Sequence, residues 1–231
     1  MLRASLIAAA FLAVTIALVL MQPGKPRRMA APEIPLAGDV TRSDDQDRIL
    51  ADIQAQHGRL DLLINNAGIF LAYDFWNDPE TLQKIEREIA INATAPLTLT
   101  RRALPLLEKS AQPGVLFIGS GVAFVASPGT PVYSGTKALI HHCAQTLRHQ
   151  LQPHGITVFE AMPPVVDTDM AKVLKSGNFK IMKPADLVRD ILDGLRRNQT
   201  EMLLGQSHQI KWMSRIAPAL LFRQFAKTEF H

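Results

Sequence analysis

The stretch LDLLINNAG, residues 60–68, is an almost unbroken apolar run that ends in two asparagines, an alanine and a glycine. A short apolar run that stops at turn residues is typical of a strand buried on both faces. The stretch GVLFIGSG, residues 114–121, has the same form and carries Ser120 near its end. Both stretches therefore predict interior strands of a sheet that is covered on its two sides.

Longer helical stretches separate these strands from others of the same kind. Further strands are predicted at 34–40, 155–164 and 201–206, and helices at 44–58, 78–110, 132–151 and 183–198. Strands that alternate with helices are joined by right-handed crossovers and form a parallel sheet. The predicted fold class is therefore α/β, a Rossmann-type doubly wound parallel sheet whose ligands lie beyond the carboxyl ends of its strands.

Composition narrows the classes of function. A chain of 231 residues with 47% hydrophobic and 20% charged residues is expected to form one domain with a substantial core. The net charge of +4 comes from scattered basic residues, which argues against nucleic acid as a partner. The single Cys143 excludes an internal disulfide and a cysteine-rich metal site. No metal is predicted, and a cytoplasmic location is expected.

Tyr133 and Lys137 are four residues apart near the start of a predicted helix, so both project from one face. A lysine ammonium near a phenol favours the phenolate, which predicts a Tyr133 pKa lowered towards neutrality. A phenol of that kind suits acid–base catalysis at a carbonyl or alcohol carbon. The same spacing also occurs in ordinary packing pairs, so the two residues do not decide the function alone.

Three further features favour a site at the strand ends. Ser120 ends one strand, thirteen residues before Tyr133, although a serine there also serves as a turn former. The turn at 65–68 allows close backbone approach at Gly68, although an ordinary asparagine-rich turn has the same sequence. Asn92 disfavours the helix around it, and we expect a break near Asn92 and Pro96; a surface asparagine is the alternative.

Taken together, these residues resemble the motif set of the short-chain dehydrogenase/reductase family. The resemblance covers about residues 34–206, and the late segment PPVVDTDM is most similar to members described as DltE-like oxidoreductases. The residues that carry it are Asp39-Val40, Asn65-Asn66-Ala67-Gly68, Asn92, Ser120, Tyr133, Lys137 and the segment from Pro163 to Thr168.

The resemblance implies a role for each residue in an NAD(P)-dependent interconversion of a carbonyl and an alcohol. Tyr133 would exchange a proton with the substrate oxygen, and Ser120 would position that oxygen. Lys137 would hold the nicotinamide ribose, and Asn92 would support a proton relay that ends at Lys137. The cofactor would also contact the remaining residues of the set, namely Asp39 at the adenine, Asn65, Ala67 and Gly68 along the adenosine, and Thr168 at the carboxamide.

The chain departs from the family pattern at its start. The family has a leading strand and a Gly-rich turn that binds the cofactor diphosphate, whereas the only glycines before Asp39 are Gly24 and Gly38. A minor departure is Pro163-Pro164 where the family has Pro-Gly. We therefore expect a sheet that lacks this first strand and turn, with an exposed edge.

The apolar stretch at residues 4–21 has two interpretations. It is either the family's first helix and second strand, with VTIALVL (14–20) as the strand, or a membrane anchor that leaves the catalytic part in the cytoplasm. In the first interpretation, which we favour, Arg27 and Arg28 would recognise a 2′-phosphate, so that NADP is slightly preferred over NAD.

The expected organisation is an apolar segment at 1–33, the Rossmann-type domain at 34–206 and a basic amphipathic tail at 207–231 that is broken at Pro218. The tail suits packing on the domain or across a homodimer, and contact with a membrane surface is the alternative. The substrate is expected to be a small carbonyl or alcohol. A rival hypothesis is a catalytically inactive relative that lost cofactor binding and acts as a scaffold or dimerisation partner.

Overall fold

A computed structural model describes residues 17–21, 29–30, 37–174 and 179–230. Its strands are β1 (Ala17–Met21), β2 (Met29–Ala30), β3 (Leu62–Asn65), β4 (Gly114–Ile118), β5 (Thr157–Met162) and β6 (Glu201–Leu203). Its α-helices are α1 (Ser43–His57), α2 (Thr81–Ile89), α3 (Ala95–Leu107), α4 (Pro131–Leu151), α5 (Pro184–Arg196), α6 (Ser207–Ile216) and α7 (Pro218–Phe225).

The sheet has the strand order β2-β1-β3-β4-β5-β6. From β3 to β6 all neighbours are parallel, with Leu63 opposite Val115 and Val115 opposite Val158. Because each of these strands is followed by a helix that returns the chain to the same end of the sheet, the predicted α/β fold of Rossmann type is confirmed.

Two hydrophobic clusters cover the two faces of the sheet. Leu63, Val115 and Val158 lie in one cluster with side chains of α1, α3 and α4, and each is completely buried. Their neighbours on the strands, Leu62, Leu116 and Phe159, belong to the other cluster, which includes α5. Alternate residues along a strand point to opposite faces, so burial on both faces explains the continuous apolar strands of the sequence.

The N-terminal flank of the sheet differs from the prediction. Ala17–Met21 is a strand, as predicted for VTIALVL, but it runs antiparallel to β3, with Leu18 opposite Leu63. The expectation of an exposed edge at β3 is therefore wrong. An interior strand that lacked a neighbour would leave backbone donors and acceptors unpaired, and an extended segment can satisfy them in either direction. The rest of residues 4–21, together with Arg27 and Arg28, lies outside the described residues.

A second correction concerns the strand predicted at 34–40. Residues 37–40, the described part of that stretch, form a loop and a turn. The Asp39 carboxylate accepts hydrogen bonds from the Thr41 amide at 2.9 Å and the Thr41 hydroxyl at 2.7 Å. Local bonds of this kind compete with strand pairing, so the segment turns into α1 instead of extending.

The remaining helices and strands lie where they were predicted, within a few residues. The break in the long helix is a single turn of π-helix at Ala90–Thr94, which contains Asn92 and separates α2 from α3. The C-terminal helix is broken at Pro218 as expected. Ser207, the first residue of α6, is completely buried against the turn after β4. Within the described ranges, no helix is both long and apolar enough to cross a bilayer.

Candidate active site

The carboxyl ends of the parallel strands carry most of the residues singled out in the sequence. Asn65 is the last residue of β3, Ser120 follows β4 by two residues, and the segment Pro163–Thr168 follows β5. Because parallel strands end at the same edge of a sheet, these residues come together although they are far apart in the chain. Helix α4 begins at this edge and brings Tyr133 and Lys137 to it.

Ser120 and Tyr133 lie in one crevice. The Ser120 side chain is placed where hydrogen bonding to the Tyr133 phenol lowers the pKa of that phenol. Ser120 also caps the short 3₁₀ turn Gly121–Phe124, because its hydroxyl accepts a bond from the Val122 amide at 3.3 Å. The Gly121 amide in turn donates to the Pro163 carbonyl at 3.2 Å, which ties this turn to the end of β5. The crevice is therefore held by bonds between neighbouring strand ends.

Lys137 lies one helical turn after Tyr133 and is buried, with 7% of its surface exposed. Its Nζ is 5.5 Å from the centroid of the Tyr133 ring and donates to the Ile118 carbonyl at 2.9 Å. Burial lowers the pKa of Lys137 to about 8, although the nearby carboxylates of Glu160 and Glu88 act in the opposite direction. The ammonium thus loses its proton more easily than an exposed lysine does.

The prediction of a lowered Tyr133 pKa is wrong. Burial raises the pKa of Tyr133 to about 12; the hydrogen bond from Ser120 lowers it, and the charge of Glu88 raises it further. Desolvation outweighs any effect of the ammonium, because the Lys137 Nζ is directed at a backbone carbonyl rather than at the phenol oxygen. In this structure Tyr133 is therefore a neutral phenol at physiological pH, which is suited to donating a proton.

Asn92 connects the π-helical turn to the segment that follows the NNAG turn. Its Oδ1 accepts a bond from the Ile69 amide at 2.8 Å, and its Nδ2 donates to the Ile69 carbonyl at 2.8 Å. Nδ2 also lies 3.4 Å from the Thr136 hydroxyl of α4. Asn92 is 2% exposed, so it is a buried link between two elements and not a surface asparagine.

The NNAG turn lies directly against these residues. A Cβ added at Gly68 would lie 3.4 Å from Asn92 Oδ1 and 3.7 Å from Lys137 Nζ, so the backbone approaches both groups closely. Asn65 donates from Nδ2 to the Thr100 hydroxyl at 3.0 Å, which orients its side chain towards α3. Val40, Asn65, Asn66 and Ala67 line one side of a cleft that Ile91, Pro96 and Leu99 close on the other side.

Asp39 and Thr168 each make hydrogen bonds within their own turn. Asp39 is exposed, and bonds from the Thr41 amide and hydroxyl hold the pKa of its carboxyl below the usual range. Its neighbour Val40 reaches the cleft beside Asn65. Thr168 begins the 3₁₀ turn Asp169–Val173, and its hydroxyl donates to the Val166 carbonyl at 3.3 Å. The structure therefore brings together Ser120, Tyr133, Lys137, Asn92 and Gly68, and the hydrogen bonds described above for Asp39 and Thr168 are local to their own turns.

Two residues of the site were missed in the sequence. Glu88 is completely buried one helical turn before Asn92, and Phe70 packs edge-on against the Tyr133 ring with centroids 4.7 Å apart. The spacing of Glu88 and Asn92 was the available signal, because residues four apart share a helix face.

His141 is also buried and its Nδ1 lies 2.8 Å from Glu160 Oε2, whereas the adjacent His142 is exposed. The described residues contain no group of three or more metal-binding side chains.

Curated relatives of the chain carry oxidoreductase names. The chain is 29% identical over 194 residues to an uncharacterized oxidoreductase, DltE, from Bacillus subtilis (strain 168), which covers 83% of this chain and 77% of the relative. It is also 29% identical over 171 residues to a short chain dehydrogenase from Pseudocercospora fijiensis, over 74% of this chain and 55% of that protein.

Solved structures with the same architecture include two cofactor complexes. A short chain dehydrogenase from Burkholderia cenocepacia J2315 in complex with NADP superposes with a TM-score of 0.71 at 23% identity, over 83% of this chain and 78% of that one. A short-chain dehydrogenase from Sphingobium yanoikuyae in complex with NADPH superposes with a TM-score of 0.61 at 28% identity, over 72% of this chain and 65% of that one.

The family model for short chain dehydrogenase matches residues 20–178, which is well over half of the chain. The match includes the parallel strands β3, β4 and β5 and the crevice that they form with α4. Fold, crevice and relatives agree, and the chain belongs to the short-chain dehydrogenase family of nicotinamide-dependent oxidoreductases.

Proposed function

We propose that the protein interconverts a carbonyl and an alcohol with NADP(H) or NAD(H), and that Tyr133 exchanges the proton. The observation that carries this proposal is the placement of three groups together: Ser120 lies where its side chain lowers the pKa of the Tyr133 phenol by hydrogen bonding, and the Lys137 Nζ lies 5.5 Å from the centroid of the same ring. A hydroxyl, a phenol and an ammonium in one crevice are the groups that a carbonyl–alcohol reaction needs for proton transfer and orientation.

In the reduction direction Tyr133 acts as the acid. Because its pKa is raised to about 12, the phenol is protonated at neutral pH and can donate to the substrate oxygen as negative charge develops there. Ser120 holds that oxygen with a second hydrogen bond, and Lys137 supplies positive charge close to the phenol. A nicotinamide cofactor held in this crevice would supply the hydride in reduction and accept it in oxidation.

Residues described above would contact both ends of a nicotinamide dinucleotide. Lys137 would hold the nicotinamide ribose and Thr168 the carboxamide, while Asn65, Ala67 and Gly68 would lie along the adenosine in the cleft that Val40 also lines. Asp39, next to Val40, would meet the adenine. The absence of a side chain at Gly68 supports this arrangement, because a Cβ there would extend into the space in front of Lys137. No Gly-rich diphosphate turn is present in the described ranges.

NADP(H) is the cofactor we favour. Two structures of similar proteins contain NADP and NADPH, which supports a cofactor that carries the 2′-phosphate in this fold. Arg27 and Arg28 are the candidate partners of a 2′-phosphate, and they lie outside the described residues. The substrate would be a small molecule that carries the carbonyl or alcohol. We also propose that two copies of the chain would form a homodimer, with the outward face of α4 in the interface.

A second candidate is an inactive scaffold that resembles the enzymes. The observation that favours it is the antiparallel pairing of β1 with β3, on the flank of the sheet next to the NNAG turn. In such a scaffold the crevice would persist without binding a dinucleotide.

The deciding experiment is a fluorescence titration of the purified protein with NADPH, followed by turnover of a panel of aldehydes and ketones. We expect saturable binding at submillimolar concentration and reduction of at least one carbonyl, with a loss of about 10²- to 10⁴-fold in kcat/KM for Tyr133→Phe. Tyr73→Phe is a matched control, because Tyr73 is the other of the two tyrosines. Absence of saturable NADPH binding would favour the scaffold.

A further inference from the structure

Glu88 carries a buried carboxyl group beside the Tyr133 crevice. This carboxyl group takes no part in the reaction proposed above. It is completely buried at the end of α2, and burial raises its pKa to about 7, while the bond from Leu71 and the charge of Lys137 lower it. Its Oε1 accepts a hydrogen bond from the Leu71 amide at 3.1 Å. Its Oε2 is buried and has no hydrogen-bond partner among the residues that the structure describes. A fully buried carboxyl group with a hydrogen bond to only one of its oxygens destabilises the folded state, so the presence of Glu88 here requires an explanation.

Glu88 and Asn92 hold the same short segment from one side. They are four residues apart, and they bond to backbone groups of Leu71 and Ile69 respectively. The residue between those two attachment points is Phe70, whose ring meets the Tyr133 ring at 4.7 Å and 80°. Fixing the backbone on both sides of Phe70 fixes the edge of its ring against the phenol. Asn92 alone would leave the Leu71 side of that segment without a hydrogen bond to the helix.

The charge of Glu88 reaches the reacting pair as well. Burial lowers the pKa of Lys137, whereas the two carboxylates that face it, Glu160 and Glu88, raise that pKa. Burial is also the main cause of the raised pKa of Tyr133, and the Glu88 carboxylate raises it further. It therefore favours a protonated phenol together with a charged ammonium, the state that the reduction direction uses. The contact through Phe70 acts on Tyr133, and the charge of Glu88 acts on both Tyr133 and Lys137.

We propose that Glu88 is a positioning residue for the Tyr133–Lys137 pair, in which one carboxyl oxygen anchors the Ile69–Leu71 segment so that Phe70 stays against the phenol, and the other oxygen places negative charge beside the pair. The catalytic half of this role rests on the proposed function. The anchoring half concerns the protein alone and can be tested without cofactor or substrate.

The anchoring test uses nuclear magnetic resonance of protein labelled in its tyrosine rings. The chain has two tyrosines, so the signals of Tyr133 are assigned by comparison with Tyr133→Phe. Phe70→Ala then shows how the Tyr133 signals move when the edge-on ring is lost. Glu88→Leu should move them in the same direction, and Glu88→Gln should leave them near their original positions, because a glutamine oxygen still accepts from the Leu71 amide.

The matched control is Glu86→Gln, an exposed carboxyl on the same helix two residues away. Far-UV circular dichroism and the melting temperature confirm that each variant is folded, and Glu88→Ala replaces the leucine variant if that one does not fold. Tyr133 signals in Glu88→Leu that match those of Glu86→Gln would overturn the anchoring role.

The charge test uses the pH dependence of carbonyl reduction. Glu88→Gln should keep KM for NADPH within about twofold while moving the alkaline loss of activity to lower pH, because Lys137 then loses its proton more easily. An alkaline limb that is unchanged from Glu86→Gln would overturn the charge role. Turnover that survives Tyr133→Phe would instead contradict the proposed function, and the resonance experiment would still decide the anchoring role.

Discussion

The crevice at the carboxyl ends of β3 to β5 and the N-terminal flank of the same sheet are built in different ways. In the crevice, Ser120, Tyr133, Lys137 and Asn92 are joined to neighbouring elements by hydrogen bonds and are at least half-buried. On the flank, β1 pairs antiparallel with β3, and β2 contributes two residues. Under the proposed function, proton transfer would depend on the crevice and binding of the cofactor diphosphate on the flank, two separate parts of the sheet.

Replacing Lys137 with Met should give the largest effect, a loss of about 10²- to 10⁴-fold in kcat/KM for carbonyl reduction, because the crevice loses its cation. In the unmodified protein the pKa of Lys137 is lowered to about 8, so the lysine is charged below that pH and neutral above it. The reduction rate should therefore fall above about pH 8, and a pH–rate profile measures it. Lys137→Arg should abolish this alkaline loss, since arginine keeps its charge; an alkaline limb that persists in the arginine variant would show that another group titrates.

Proline substitutions at two residues that face each other across β1 and β3 compare the flank with the core directly. Leu63 is completely buried in β3 and pairs with β4 as well as with Leu18 of β1. Leu63→Pro should cost about 3 kcal/mol or more in free energy of unfolding, because it removes a ladder hydrogen bond and a buried side chain. Leu18→Pro should cost about 1 kcal/mol in free energy of unfolding, because it removes one hydrogen bond at the N-terminal flank of the sheet. Urea denaturation measures both, and equal losses would mean that β1 is as integral to the sheet as β3.

Replacing Glu88 with Gln should stabilise the protein, but only where the carboxyl would be ionised. The pKa of Glu88 is raised from 4.5 in the unfolded chain to about 7 in the fold, so the folded state retains the proton more strongly. The stability from this proton is fully present below pH 4.5 and is lost as the pH rises through about 7. Glu88→Gln should therefore add about 2 kcal/mol at pH 8 and little at pH 4.5. Denaturation at the two pH values measures the difference; an equal gain at both would contradict the raised pKa.

Replacing Gly68 with Ala should give the smallest effect. The added methyl would meet Asn92 Oδ1 at 3.4 Å and Lys137 Nζ at 3.7 Å, contacts that need only a slight shift. We expect the fold to tolerate it and the affinity for NADPH to fall by about 1 kcal/mol, a factor of roughly five, in a fluorescence titration. Gly135→Ala is the matched control, because its Cβ would meet nothing within 4 Å. Unchanged affinity in Gly68→Ala would place the dinucleotide away from the NNAG turn.

Much of the fold could be predicted from the sequence because its signals are local. Continuous apolar runs gave the positions of β3, β4 and β5, and the polar residues that follow them marked the edge at which a site would form. The break at Asn92 was predictable for the same reason, since a helix-disfavouring residue stood in the middle of a long helical stretch. The spacing of Tyr133 and Lys137 also placed both side chains on one face of α4.

Other features depend on contacts between segments that are distant in the chain. The pairing of β1 with β3 depends on the backbone groups of a strand that lies more than forty residues later in the chain. The turn at Asp39 formed instead of a strand because bonds to Thr41 compete with pairing. Glu88 went unnoticed because its only signal was its spacing from Asn92, and nothing in the sequence indicated that it would be buried.

Local sequence patterns specify which segments become strands and helices, and which residues stand at the ends of the strands, because hydrophobic periodicity and turn chemistry act over a few neighbouring residues. The ionisation of the site, in contrast, depends on how distant segments pack around it. The spacing of Tyr133 and Lys137 places them on one face of their helix whatever surrounds that helix. The direction of each pKa shift depends on how completely other elements exclude water from them and on where the carboxylates of Glu88 and Glu160 lie.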